Sequence, residues 1–236
     1  MKEINTTKTL LGTFLIMLIS IPSMAQDKVS GGSGGFHIGF KQYSTSNYSY
    51  FLEDGVTDLD DNILTIGGGG YHIIKNWMIG GYGFYRGGES RDVPFFSPGG
   101  GGQEFNYALN GGGGYLTLGY VAFHTDKLLV FPQLGIGLES LTLNKTLNED
   151  ITFQPDDFLS TDYSWSSPML DIGAGVDFFP LKGLKVGLRA GYNFSLQKDN
   201  DWKHRGGDLL GTNLPENDLD GFYIHLTLGG GWIKSE

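Results

Sequence analysis

Between Leu170 and Leu196 the chain changes character at every step. Leu170, Ile172, Ala174, Val176 and Phe178 alternate with Asp171, Gly173, Gly175 and Asp177. After a short break, Leu184, Val186, Leu188, Ala190, Tyr192, Phe194 and Leu196 alternate with Lys185, Gly187, Arg189, Gly191, Asn193 and Ser195. A period of two puts one set on each face of a β-strand, so these are strands with one continuous apolar face. The same period recurs at about Phe36–Tyr43, Asn62–Lys75, Trp77–Arg86, Phe105–Ala122, Leu128–Leu141, Trp165–Phe178, Leu184–Leu196 and Gly221–Trp232. That makes eight strands, and no segment after residue 26 has the 3.6-residue period of an amphipathic helix. The expected class is all-β.

The connections alternate too. Lys75-Asn76, Thr125-Asp126-Lys127 and Phe179–Gly183 are tight, whereas Ser44–Asp61, Gly87–Glu104, Thr142–Ser164 and Lys198–Asp220 are long. In an up-and-down antiparallel meander this order sends every tight turn to one end and every long loop to the other. Long loops in a compact domain usually carry function or are disordered.

Composition narrows the choice further. Glycine supplies 39 of 236 residues, more than twice the usual ~7%, without a Gly-X-Y order. Aromatics at 14% argue against a disordered glycine-rich chain. A net charge of −10 makes nucleic acid an unsuitable partner. Absence of cysteine removes disulfides, thiolate metal sites, a thiol nucleophile and an acylation site. At the start, Lys2 and Lys8 precede an apolar run from Leu10 to Ile21 and then Ser23-Met24-Ala25. This is the pattern of a cleaved signal peptide, with the cut expected before Gln26. The expected organisation is therefore residues 1–25 as signal peptide, 26–35 as a short N-terminal segment, 36–233 as a β-barrel and 234–236 as a tail.

With eight amphipathic strands, tight turns at one end and long loops at the other, the chain after residue 30 resembles the small outer-membrane β-barrels of the OmpA/OmpX type. The resemblance implies an eight-stranded antiparallel transmembrane barrel in the outer membrane, with short periplasmic turns, long extracellular loops and an apolar outer band. It implies outer-membrane lipid and the barrel assembly machinery as partners, and a monomer. The glycine-rich polar face favours this over a soluble barrel, whose solvated face would carry Lys, Glu, Thr and Ser. Two aromatic levels point the same way. Phe36, Trp77, Phe123, Phe131, Phe178 and Trp232 lie toward the tight turns, and Tyr43, Phe84, Tyr107, Trp165, Phe194 and Phe222 toward the loops.

If the apolar face meets lipid, glycine and charge face inward. An eight-stranded barrel is just wide enough for its own side chains, and buried charges must be paired. The expected lumen network contains Lys41, Glu139, Asp171, Asp177, Lys185, Arg189 and His225. A symmetric turn centred on Leu181 places Lys185 opposite Asp177, and Arg189 one diagonal step from Asp171 with Glu139 a further partner. Tyr115, Tyr223 and His37 also read as lumen residues.

No other chemistry rises to a site. There is no His–Ser–acid cluster on a lipid-facing strand end, so no enzyme is expected; no cofactor and no metal centre is implied, since the histidines lack ligand spacing. The "GGGGY" runs at 67–71 and 111–115 lie within strands and precede no helix, so they are not phosphate loops. Asp58-x-Asp60-x-Asn62 resembles half of a calcium loop without its glycine and distal glutamate. The loops are acidic, and the second exposes Phe95 and Phe96 between Pro and Ser. The reading is an integral barrel of structural or binding role, its lumen filled by a polar plug and any unidentified extracellular ligand met by the loops. Alternatives are a small-solute pore, a surface adhesion protein and, less favoured, a lipid-modifying barrel enzyme.

Overall fold

A computed structural model describes residues 28–42, 62–96, 102–148, 160–197, 203–204, 207–208 and 219–235. The signal-peptide segment, the acidic loop positions Asp58 and Asp60, and Tyr43 lie outside the described residues. Eight long strands build the chain: β1 (Val29–Gln42), β2 (Asn62–Ile74), β3 (Trp77–Phe96), β4 (Gly102–Tyr120), β5 (Leu128–Asn148), β6 (Ser160–Leu181), β7 (Leu184–Ser195) and β8 (Gly221–Ser235). Two-residue strands at Phe123–His124, Lys203–His204 and Gly207–Asp208 add short pairings at the margins.

Every long strand pairs antiparallel with its sequence neighbours, and β8 returns to pair with β1 from Val29↔Ser235 to Lys41↔Tyr223. The sheet is therefore closed, with no free edge among these eight strands. The chain folds as the all-β, eight-stranded antiparallel up-and-down barrel that its resemblance implies.

The tight turns follow local stereochemistry. Lys75 and Asn76 both have positive φ, 50° and 74°, the signature of the type I′ turn whose twist matches a two-residue hairpin. Asn76 is also a staple. Its side-chain Oδ1 accepts from Val29 N at 2.6 Å, its backbone N–H donates to Val29 O at 3.0 Å, and its carbonyl accepts from Val121 N at 2.8 Å. One turn residue thus ties the start of β1 and the end of β4 to the β2–β3 hairpin. At the β6–β7 turn Gly183 takes φ 88°, and β6 carries one extra residue between Phe178 and Leu181. This bulge moves the register, so Asp177 stands opposite Gly187 and not Lys185.

Other departures have equally local causes. β1 starts at Val29 rather than Phe36, because Ser30–Gly35 pairs through its backbone and has no side-chain alternation to announce it. β3 and β4 remain paired out to Phe96↔Gly102 across an irregularity between Gly87 and Ser90, so most of the expected Gly87–Glu104 loop is hairpin. β5 and β6 likewise pair to Thr146↔Ser160. Polar residues can extend a strand wherever a neighbour satisfies their backbone groups.

Alternation decides which side each residue faces. Val29, His37 and Lys41 are buried, whereas Phe36, Ile38 and Phe40 are exposed. The same rule turns four aromatics of the expected belts inward: Phe84, Tyr107, Phe131 and Trp165 are buried in the lumen. The outward rings include Phe36, with Trp77, Phe123, Phe178 and Trp232 near the tight turns and Phe40, Tyr85, Tyr192 and Phe222 nearer the loops. Glycine also divides. Gly173, Gly175, Gly187 and Gly191 share the lumen-facing parity of Asp171, Asp177, Lys185 and Asn193, as expected. By contrast Gly34, Gly70 and Gly81, and Gly68, Gly83 and Gly114, fall on outward positions in register with one another. The four-glycine runs therefore thin both faces of the wall.

Inward glycines answer a lack of room. A Cβ on Gly113 would lie 2.7 Å from Leu138 O and 2.8 Å from Glu139 Cγ; one on Gly111 would lie 2.9 Å from Arg86 Nε. The ring of Phe131 lies over Gly175, its Cζ 2.5 Å from where a Cβ would stand. We expect Gly113→Val to destabilise the barrel by about 1–3 kcal/mol through overpacking. Equilibrium urea unfolding checks this, and an unchanged midpoint would contradict the assigned packing.

Candidate functional site: the charged layer of the lumen

Inside, the barrel is stratified. Toward the loops the lumen holds an apolar cluster of Ile63, Tyr107, Leu109, Leu141, Leu143, Trp165, Met169 and Leu219, with Tyr82, Phe84 and Tyr115 beneath. Toward the tight turns it holds Val29, Tyr71, Ile73, Met78, Val121, Leu129, Phe131 and Phe179. Charged and polar residues occupy the space between and around these clusters.

Glu139 is the hub. Its Oε1 and Oε2 accept from Lys41 Nζ at 2.7 and 2.8 Å, Oε2 accepts from Arg86 Nη2 at 3.0 Å, and Oε1 accepts from Tyr115 OH at 2.5 Å. All four residues are buried, Glu139 and Arg86 to within 1%. β1 and β5 lie four strands apart in a ring of eight, so Lys41–Glu139 spans the barrel from wall to wall. Arg86 reaches from β3 and also donates to Ser140 O at 3.1 Å. The space they use is that left by Gly111 and Gly113.

A second cross-lumen link joins β2 to β6. Tyr71 OH donates to Asp177 Oδ2 at 2.6 Å, and Lys185 Nζ reaches the same oxygen at 3.4 Å. Asp177 and Lys185 are thus partners as expected, along a diagonal rather than directly opposite. Asp177 Oδ1 fills the volume a Cβ on Gly187 would need.

Asp171 has a different set. Its Oδ1 accepts from Asn193 Nδ2 at 3.1 Å and its Oδ2 from Gln133 Nε2 at 3.2 Å. The expected contact from Arg189 to Asp171 and Glu139 is not made. The bulge places Asn193 opposite Asp171 and Arg189 opposite Gly175, and the Arg189 guanidinium instead lies over the rings of Phe131 (5.6 Å) and Tyr71 (5.8 Å). A guanidinium over an aromatic face is held by the ring quadrupole.

His225 lies in the lumen as expected. It stacks on His37 at 4.7 Å and Tyr223 at 4.8 Å, and one of its ring nitrogens is 3.0 Å from Thr65 Oγ1. Asn62 is the exposed first residue of β2; its proposed companions Asp58 and Asp60 lie outside the described residues. Among the described residues no three of His, Asp and Glu come together as metal ligands.

Sequence reasoning missed Arg86, Tyr71, Gln133 and Asn193 as network members. Arg86 was visible in principle: it shares the parity of Met78, Tyr82 and Phe84, opposite to Trp77, Ile79 and Tyr85, and only its place at an apparent strand end hid it.

Comparisons with known proteins give a likeness of fold. No family model matches the chain, and no curated protein matches it. Among solved structures it is similar to Ail, the attachment invasion locus protein of Yersinia pestis, at 16% identity over 89% of this chain and 100% of that one, with a TM-score of 0.36. It is also similar to a major outer membrane protein of Thermus thermophilus, at 10% identity over 87% and 99%, TM-score 0.46. OprG of Pseudomonas aeruginosa aligns at 13% identity over 89% and 98%, TM-score 0.39. The barrel assignment itself stands on the strand pairing described above.

Two experiments test the network. Glu139→Ala removes the carboxylate that two buried cations share, so it should cost about 3–5 kcal/mol in urea unfolding. Lys41→Met should cost less, because Glu139 keeps Arg86 and Tyr115. Equal losses would contradict the hub. Arg189→Leu and Asp171→Asn should be additive within about 0.5 kcal/mol, as for residues that share no partner. A larger coupling energy would restore the direct Arg189–Asp171 contact.

Proposed function

We propose that the chain is an integral outer-membrane barrel with a filled lumen, serving a structural or binding role and meeting any ligand through its long acidic loops. One observation carries the membrane part of this reading. The closed barrel wears its apolar residues outside: Leu116 is 73% exposed, Leu138 65%, and Ile136, Ile79, Ile66 and Leu226 between 52% and 60%. Lys41, Arg86, Glu139, Asp171, Asp177 and Lys185 are turned inward and buried. A water-soluble barrel would reverse that distribution, whereas lipid favours it. Closure also gives each of the eight long strands a neighbour on both sides, the internal pairing that a bilayer demands of any spanning structure.

Filling supports a plug over a pore. Two links cross the lumen, Lys41–Glu139 and Tyr71–Asp177, and apolar clusters lie at both levels beside them. A conducting path would require these contacts to break together. The acidic composition of the loops, with Glu53, Asp54, Asp58, Asp60 and Asp61 in the first and Glu149, Asp150, Asp156 and Asp157 in the third, favours cationic or basic ligands there. Whether the role is adhesion or support is then a property of those loops, and cell-binding assays with loop-deleted chains separate the two.

The chain beginning at Gln26 should fractionate with the outer membrane and resist carbonate extraction; recovery as a soluble periplasmic protein would defeat the reading. In planar bilayers it should show no sustained large single-channel steps, and reproducible large openings would make it a pore. Leu188→Arg should impair insertion by placing a charge in lipid, at a cost of roughly 2–4 kcal/mol near mid-membrane. Normal insertion of that variant would mean the strand faces the other way.

A further inference from the structure

The tight-turn end carries a chemistry that the lumen does not use. Lys28, Lys75, Lys127, Lys182 and Lys234 are all exposed there, and Asp126 is the exposed acidic residue at that rim among the described residues. The loop segments carry the opposite sign. Beneath this basic rim a cavity of about 330 Å³ opens between the approach to β5, the β6–β7 turn and the end of β8. Lys127, Lys182 and Asp126 supply its charge, while Pro180, Leu181 and Trp232 supply its apolar wall.

This cavity is built into the fold. Phe179 N–H donates to Lys127 O at 2.8 Å, which clamps the approach to β5 against β6. Phe179 itself turns inward over Gly231, its Cε1 3.0 Å from where a Cβ would stand, so the β6–β7 turn settles close onto β8. Leu181 and Trp232 are left 67% and 54% exposed on the side that continues the outward apolar band. A single concavity thus offers two ammonium groups and one carboxylate at its polar rim and an open apolar flank below.

We propose that this cavity binds the headgroup of an anionic phospholipid, of the phosphatidylglycerol kind, from the leaflet at the tight-turn end. Lys127 and Lys182 against Asp126 leave one net positive charge, which matches one phosphodiester. The phosphate oxygens accept from the two lysines, and an acyl chain runs down over Leu181 and Trp232 into the band. Trp at this depth suits the boundary between headgroup and chain. The preference comes from the two lysines that line the cavity, and the cavity holds one molecule between them. The proposal rests on the membrane-spanning reading above.

The test uses the full chain from Gln26, inserted into nanodiscs holding equal phosphatidylglycerol and phosphatidylcholine, with retained lipid read by native mass spectrometry after gentle detergent extraction. Two lysines near a membrane surface are together worth about thirtyfold in affinity, so phosphatidylglycerol should be retained over phosphatidylcholine by that order. The double variant Lys127→Gln/Lys182→Gln should bring the ratio to parity, and Lys28→Gln/Lys75→Gln should leave it as in the parent chain. Glycerol 3-phosphate, which has no acyl chain, should not displace the lipid. The proposal is overturned by parity in the parent chain, by unchanged retention in the first double variant, by equal loss in the second, or by displacement with glycerol 3-phosphate. Insertion is scored separately by carbonate resistance. A chain that fails to insert defeats the membrane reading and this site with it, whereas one that inserts without lipid preference defeats the site alone.

Discussion

The width of the lumen governs this structure. Eight strands enclose a space that side chains can fill and little more, so each large inward residue needs a missing side chain nearby. Glu139 and Arg86 stand where Gly113 and Gly111 make way, Phe131 lies over Gly175, and Asp177 occupies the volume beside Gly187. Glycine in a strand weakens it, by backbone entropy and by lost packing. The barrel accepts that cost because a closed ladder fixes the backbone regardless. A composition that looks like disorder is, in three dimensions, a record of which walls are crowded.

Given that narrowness, buried charge can be satisfied within the wall itself. Glu139 gathers donors from β1, β3 and β4, and Asp177 gathers them from β2 and β7. Such groups seldom add net stability relative to an apolar filling. Their contribution is geometric: with the cation of Lys41 and the carboxylate of Glu139 on opposite walls, only one register buries both with partners. A slip of one residue in β1 would turn Lys41 out toward lipid and Phe40 into the lumen.

The sequence made the architecture legible because period two and the order of short and long connections are both one-dimensional signals. It also showed the inward set, since Lys41, Glu139, Asp171, Asp177, Lys185 and His225 are all buried. What it concealed was register. A single extra residue before Leu181 moved Arg189 from Asp171 to the rings of Phe131 and Tyr71, and a bulge of that kind leaves no mark on alternation. Aromatic residues misled for a related reason: Phe84, Tyr107 and Trp165 sit at the right height for a membrane belt but at the wrong parity. Height and side are separate coordinates, and a count of rings near strand ends reports only the first. The strand extensions around Phe96 and Asn148 escaped notice because polar sequence gives no periodic signal once the apolar face ends.

The two cross-lumen links also constrain the order of events when the barrel forms. Lys41 and Glu139 are 98 residues apart in the chain, and Tyr71 and Asp177 are 106 apart. No single hairpin contains both ends of either link. Although Asp177 travels with Lys185 in the β6–β7 hairpin, a hairpin carrying Lys41 or Glu139 alone would enter the bilayer without the opposite charge of that link. The penalty for such an intermediate favours a concerted passage in which strands enter, curl and seal together. The interior that locks the finished cylinder is, on the way there, a reason for it not to be assembled strand by strand.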